Sequence, residues 1–136
     1  MVADMSAKLK GLASSGVVHV AFAFFAMGGW ALFANRHHPM PKPLVAGLVQ
    51  GTLSALLTLY LKTAIDALSR RFNGARRLVL PPLFACLGSS AILVAIHAAS
   101  GTPEILKTIA LPLTVSTTYA AIYNYSISRG EHDRDR

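Results

Sequence analysis

A single cysteine, Cys86, stands in a chain of 136 residues. No disulfide can form within one chain, and no cysteine-based metal spacing exists. Charge is also scarce: charged residues make up 14% and hydrophobic residues 53%. Soluble domains average about 25% charged residues, so the chain is depleted. What charge there is leaves whole segments bare. Residues 11–35, 43–61, 78–103 and 108–128 contain no Asp, Glu, Lys or Arg. A soluble helical bundle of this size needs a charged outer face on every helix, and these segments have none. No nucleophile–base pair, phosphate loop or metal-binding helix pattern is present, so the sequence offers no catalytic candidate and reads as a non-enzyme without a cofactor.

The neutral segments are long enough for another solvent. About 20 apolar residues as a helix cross the roughly 30 Å hydrocarbon core of a bilayer. The sequence therefore predicts an all-α, polytopic membrane protein: one transmembrane domain of four helices arranged as two antiparallel hairpins. The predicted spans are 12–34, 44–68, 78–99 and 104–127. The first span is longer than a signal-peptide core and lacks a clear cleavage site, so it is read as retained. Between the first two spans, Asn35 to Pro43 carries three prolines within five residues, which no helix continues through. Residues 69–77 form a basic loop around the turn signal Asn73-Gly74. Pro81-Pro82 are expected in the first turn of the third span, where a missing N–H costs least. Pro112 is expected to kink the fourth span, and residues 129–136 to form a mobile tail.

The formal net charge of +7 would suggest a nucleic-acid partner in a soluble protein. In a membrane protein it is topological, because Lys and Arg accumulate in cytoplasmic loops. With both termini cytoplasmic, ten Lys and Arg lie inside and Arg36, Lys42 and Lys107 lie outside. The sequence thus predicts a multi-pass protein of the cell inner membrane, with membrane lipids as partners and no nucleic acid.

The second span carries the clearest polar pattern. Gly47, Gln50, Gly51, Ser54, Thr58, Lys62 and Asp66 recur at steps of three and four and so share one helical stripe. Gly47 and Gly51 form a small-xxx-small pair suited to close helix packing. Gln50, Ser54 and Thr58, joined by Thr117 and Asn124 of the polar fourth span, are candidate linings of a substrate path. The alternative is that the stripe is a packing or docking face. Lys62 and Asp66 have the spacing of a helical ion pair. Lys62, Arg70 and Arg71 on one side and Arg36 and Lys42 on the other are candidate binders of an anionic headgroup. His37, His38 and His97 are expected near the outer surface, where adjacent histidines in a loop make a poor preformed metal site. His19 is an ionisable residue inside the first span and is expected to find a hydroxyl of span two or four.

In size, span count and hairpin plan the chain resembles the GtrA-type small membrane proteins. Those proteins carry Asn and aromatic residues followed by a basic residue at the inner ends of spans two and four. Tyr123-Asn124-Tyr125 with Arg129 is similar to that pattern; span two has Tyr60 and Lys62 but lacks the Asn. The resemblance implies movement of polyprenyl-phosphate-linked sugars. By contrast, no carboxylate sits at mid-membrane, as the central Glu of small multidrug resistance exporters does, and the Gly- and Phe-rich motifs of small fluoride channels are missing. The expected function is transport or flipping of an anionic amphiphile such as a lipid-linked group. Four helices hardly enclose a path, so a homo-oligomer or membrane-protein partner is implied. The alternative is a non-transporting accessory or assembly subunit of a larger membrane complex.

Overall fold

A computed structural model describes residues 1–14 and 16–134. Among them are five helices: α1 (Val2–Ser14), α2 (Gly16–Ala34), α3 (Lys42–Ser69), α4 (Ala75–Ala99) and α5 (Ile105–Arg134). Four of them, α2 to α5, are long and apolar enough to cross a membrane. The protein is all-helical and membrane-spanning, as its neutral segments require.

Local chemistry sets the breaks. Pro43 sits in the first turn of α3, where its missing N–H has no helical partner to lose. Gly74, between α3 and α4, has φ 64° and ψ −140°, a conformation closed to side-chain-bearing residues. At the far end of α4, Gly101 takes the left-handed conformation with φ 73°. The Thr102 N–H then reaches back to the His97 carbonyl and the Gly101 N–H to that of Ala98, at 3.0 and 3.2 Å. This is the paired closure of a Schellman motif.

The two hairpins, α2–α3 and α4–α5, have the closest helix pairings, and α3 joins them by packing on both α4 and α5. Leu53, Leu93 and Ile109 form one buried cluster with Val49, Leu57, Ile105 and Leu113 around it. Leu61, Ile65 and Ala120 form a second, two turns further along α3. The outward surface is apolar: Phe22, Phe25, Leu48, Leu59, Leu87 and Ile122 are all exposed. In water such a surface would be an aggregation hazard, whereas in lipid it is the solvated face.

Three boundaries differ from the sequence reading. Helix begins well before the first predicted span: residues 2–14 are helical, where the sequence reading starts that span at residue 12. The segment expected as a mobile tail continues α5 to Arg134. And α4 starts at Ala75 rather than 78, so Pro81 and Pro82 lie inside the helix instead of in its first turn. Each interior proline leaves the carbonyl four residues earlier without its N–H donor.

Candidate functional site

Polar side chains gather at both ends of the bundle. One end holds the α2–α3 and α4–α5 turns and is called here the clasped end. The other holds α1, the α3–α4 loop and the close of α5, and is called the basic end.

At the clasped end, buried polar groups tie the two hairpins together. Gln50 of α3 is fully buried. Its Nε2 donates to Ser54 Oγ at 2.8 Å, which leaves Oε1 facing His97 Nε2, also at 2.8 Å. With Oε1 accepting, the His97 proton sits on Nε2. His97 Nδ1 meets Thr102 Oγ1 at 2.7 Å, so the Schellman turn that closes α4 also supplies the second partner of the ring. Asn35 is the other knot. Its Nδ2 donates to the Ala31 carbonyl and to Thr108 Oγ1, both at 2.8 Å. Its Oδ1 accepts the Glu104 N–H at 3.0 Å, which caps the start of α5. Trp30 Nε1 donates to the Lys107 carbonyl at 2.9 Å, and His38 Nε2 lies 3.2 Å from Glu104 Oε1. The His38 hydrogen bond, followed by the charge of Lys107, holds the Glu104 carboxyl below its ordinary range.

At the basic end the bonds are fewer. Tyr123 OH donates to Asp66 Oδ1 at 2.6 Å. Asn124 Nδ2 donates to the carbonyls of Arg77 and Leu78, at 2.7 and 3.2 Å. Those are the carbonyls that Pro81 and Pro82 deprive of a helical donor. Asn124 therefore repairs α4 from α5. Its own Oδ1 and the Oγ of Ser128, one turn on, are buried without a hydrogen-bond partner.

Between α2 and α3, on the half nearer the basic end, lies an apolar groove of about 660 Å³. Gly16, Val17, Val20, Ala21, Phe24 and Phe25 line one wall and Ala55 and Leu59 the other. Beyond Phe24 the helices close. A Cβ on Gly51 would stand 2.8 Å from the Phe24 carbonyl oxygen, and one on Gly28 2.9 Å from that of Gly47. Glycines let these backbones touch, and Gly47 and Gly51 lie at that seam.

The candidate path residues are not assembled into one channel. Gln50 and Ser54 are buried and bonded to each other. Thr58, expected to line a path with them, is instead exposed; its hydroxyl donates to the Ser54 carbonyl of its own helix at 2.8 Å, which lets it face lipid. Thr117 is half-buried on α5, two turns before Asn124. Among the headgroup candidates, Lys62, Arg70 and Arg71 are exposed at the basic end, while Arg36 and Lys42 are exposed at the clasped end. The Arg36 guanidinium lies 3.8 Å from the Phe33 ring centroid and donates to the Phe33 carbonyl. The expected Lys62–Asp66 ion pair does not form among the described residues: Asp66 takes the Tyr123 hydroxyl, and the Lys62 ammonium stands 5.9 Å from the Tyr123 ring centroid. His19 is exposed, with no hydroxyl partner among the described residues. His97, expected near the surface, is fully buried because Gln50 and Thr102 satisfy both ring nitrogens.

Sequence reasoning missed Asn35, Thr102 and Thr108 as knots. Asn directly after a long apolar run, and Gly-Thr-Pro after another, are helix-end signals that could have pointed to them. Compared with protein-family models, curated proteins and solved structures, the chain has no match.

Proposed function

We propose that the chain binds an anionic amphiphile, such as a lipid-linked group, at the inner membrane and moves it between leaflets, with both termini cytoplasmic and a second copy or a membrane partner completing the path. One observation carries this reading: the two ends of the bundle are unlike. The clasped end is shut by His97–Gln50, Asn35–Thr108, Trp30–Lys107 and His38–Glu104. The half towards the basic end has the apolar groove, and Lys62 stands on α3 less than one turn beyond its last wall residue, Leu59. An acyl chain fits such a groove, and exposed Lys62, Arg70 and Arg71 supply the charge that draws an anionic headgroup. Gln50 and Ser54 then act as the bar across the route, and Thr58, Thr117 and Asn124 as polar groups along it.

Native mass spectrometry from mild detergent, combined with a leaflet-exchange assay in vesicles, tests the proposal. The expected result is a homo-oligomer that retains an anionic lipid, loses it in Lys62→Ala, and moves a fluorescent anionic lipid between leaflets. A monomer that co-purifies with one protein partner and exchanges no lipid overturns it.

That second outcome would fit the accessory-subunit reading, which one observation favours. Gln50, Ser54 and Thr58 are satisfied within the chain, and the exterior they leave is the apolar face that a neighbouring membrane protein would cover.

A further inference from the structure

Asp66 is the only carboxylate between residues 5 and 103, and it stands where α3 leaves the hydrocarbon. The neutral run of α3 ends at Lys62. Asp66 follows one turn later, about 6 Å further along the axis. These opposite charges do not pair. A basic residue four positions before an acidic one is the weaker order for a helical ion pair. Tyr123 of α5 engages both instead. Its hydroxyl donates to Asp66 Oδ1 at 2.6 Å, and the Lys62 ammonium stands 5.9 Å from its ring centroid. Asp66 Oδ2 is left open, with no hydrogen-bond or ion-pair partner among the described residues. Lys62 is exposed and likewise has no carboxylate within ion-pair distance among them.

From this arrangement we infer that Lys62 and Asp66 form a two-charge site for a headgroup that joins a phosphate to a primary ammonium, as in an aminophospholipid. The inference rests on the reading of Lys62 as a headgroup binder and names the headgroup. Order along the membrane normal supports it. Lys62 is the deeper charge and Asp66 the outer one. In an aminophospholipid the phosphate adjoins the glycerol and lies deeper, and the ammonium is at the free end. A phosphate on Lys62 therefore carries the ammonium out towards Asp66. There the open Oδ2 accepts a charge-assisted hydrogen bond, and the Tyr123 hydroxyl on Oδ1 holds the carboxylate in place. A headgroup with negative charge alone would satisfy Lys62 and set a like charge against Asp66. The groove leads to the same place. At about 100° per residue, Ala55, Leu59, Lys62 and Asp66 fall within an arc of about 60°. The α3 wall of the groove, Ala55 and Leu59, thus runs into the two charges. A lipid with its tail in the groove has its headgroup at this pair.

The test is competitive lipid retention by the full chain, read by native mass spectrometry. Phosphatidylserine and phosphatidylglycerol are offered in equal amounts; they carry the same net charge, and only the first has an ammonium. The expected result is about fivefold preference for phosphatidylserine, the size of a partly exposed ion pair. Asp66→Asn keeps an acceptor for Tyr123 but no charge, and is expected to bring the ratio to about one while phosphatidylglycerol is still retained. Phosphatidylethanolamine against phosphatidylcholine removes the N–H donors from the lipid instead, so the question is answered even if Asp66→Asn does not fold. The first of that pair is expected to be favoured. Equal retention within both pairs overturns the inference. If phosphatidylglycerol is still lost in Lys62→Ala, the proposed function survives that failure. A preference that persists in Asp66→Asn overturns the assignment to Asp66. A preference for phosphatidylcholine overturns it in favour of binding on the tyrosine rings. Retention of none of the four lipids overturns both this inference and the reading beneath it.

Discussion

Asn124 and Asn35 carry out the same task at opposite ends of the bundle: each uses a side-chain amide to satisfy backbone groups of another helix that its own sequence leaves unpaired. For Asn124 those groups are the Arg77 and Leu78 carbonyls released by Pro81 and Pro82. A buried carbonyl without a donor costs about 1–3 kcal/mol. Asn124→Leu is therefore expected to lower stability by about 1–3 kcal/mol, read from unfolding in mixed detergent. The cause can be isolated. In a Pro81→Ala, Pro82→Ala background the helical N–H donors return, so the same substitution should cost much less. An unchanged penalty in that background would show that Asn124 acts by some other contact. Glu104 makes a pH prediction. Its carboxyl is held below the ordinary range by His38 and Lys107, so its contribution is present above the ordinary value of about 4.3 and is lost as pH falls through the lowered one. Acid unfolding should therefore begin at higher pH in His38→Ala than in the parent chain, measured by tryptophan fluorescence of Trp30. Identical acid midpoints would remove the pair from the clasp.

At the scale of elements, the α2–α3 seam is the part of the candidate site most legible in the sequence. Gly47 and Gly51 at a four-residue step mark a close helix approach, and backbone oxygens stand within 3.1 Å of where their β-carbons would be. Added methyl groups that meet backbone cost about 1–3 kcal/mol, so Gly28→Ala and Gly51→Ala are expected to destabilise by that amount. Gly29→Ala and Gly88→Ala meet no atom within 4 Å. They should be neutral or stabilising by up to about 1 kcal/mol, since alanine is the better helix former. A thermal-shift series in detergent separates the two pairs, and equal effects at all four positions would refute the seam. The partner of Gln50 was not legible in the same way. Helical periodicity shows which residues share a face, but not what stands across from it. His97 lies 47 residues from Gln50, and a turn-built neighbour, Thr102, completes its coordination.

For the whole molecule, four neutral stretches were enough to specify the architecture, because lipid admits so few backbone solutions. α1 escaped notice for the converse reason: a helix of 13 residues that carries Asp4, Lys8 and Lys10 has no long neutral run. The division into a clasped and a basic end was likewise hidden, since it depends on contacts between residues as distant as Trp30 and Lys107. That division has a mechanical consequence. If hydrogen bonds between hairpins hold one end, removing the most connected of them should loosen that end alone. Asn35→Ala deletes two donated bonds and one accepted bond. Spin-label pairs at Arg36 and Lys107 and at Arg70 and Arg129, in the Cys86→Ala background, report on the two ends by pulsed dipolar distances. All four positions are exposed. The Arg36–Lys107 distribution is expected to broaden in Asn35→Ala while the Arg70–Arg129 distribution keeps its width. The second hydrophobic cluster, around Leu61, Ile65 and Ala120, lies between Asn35 and the basic end and holds α3 against α5 without the clasp. Equal broadening of both pairs would mean that the hairpins pack as one cooperative block, and neither end could then open while the other stays shut.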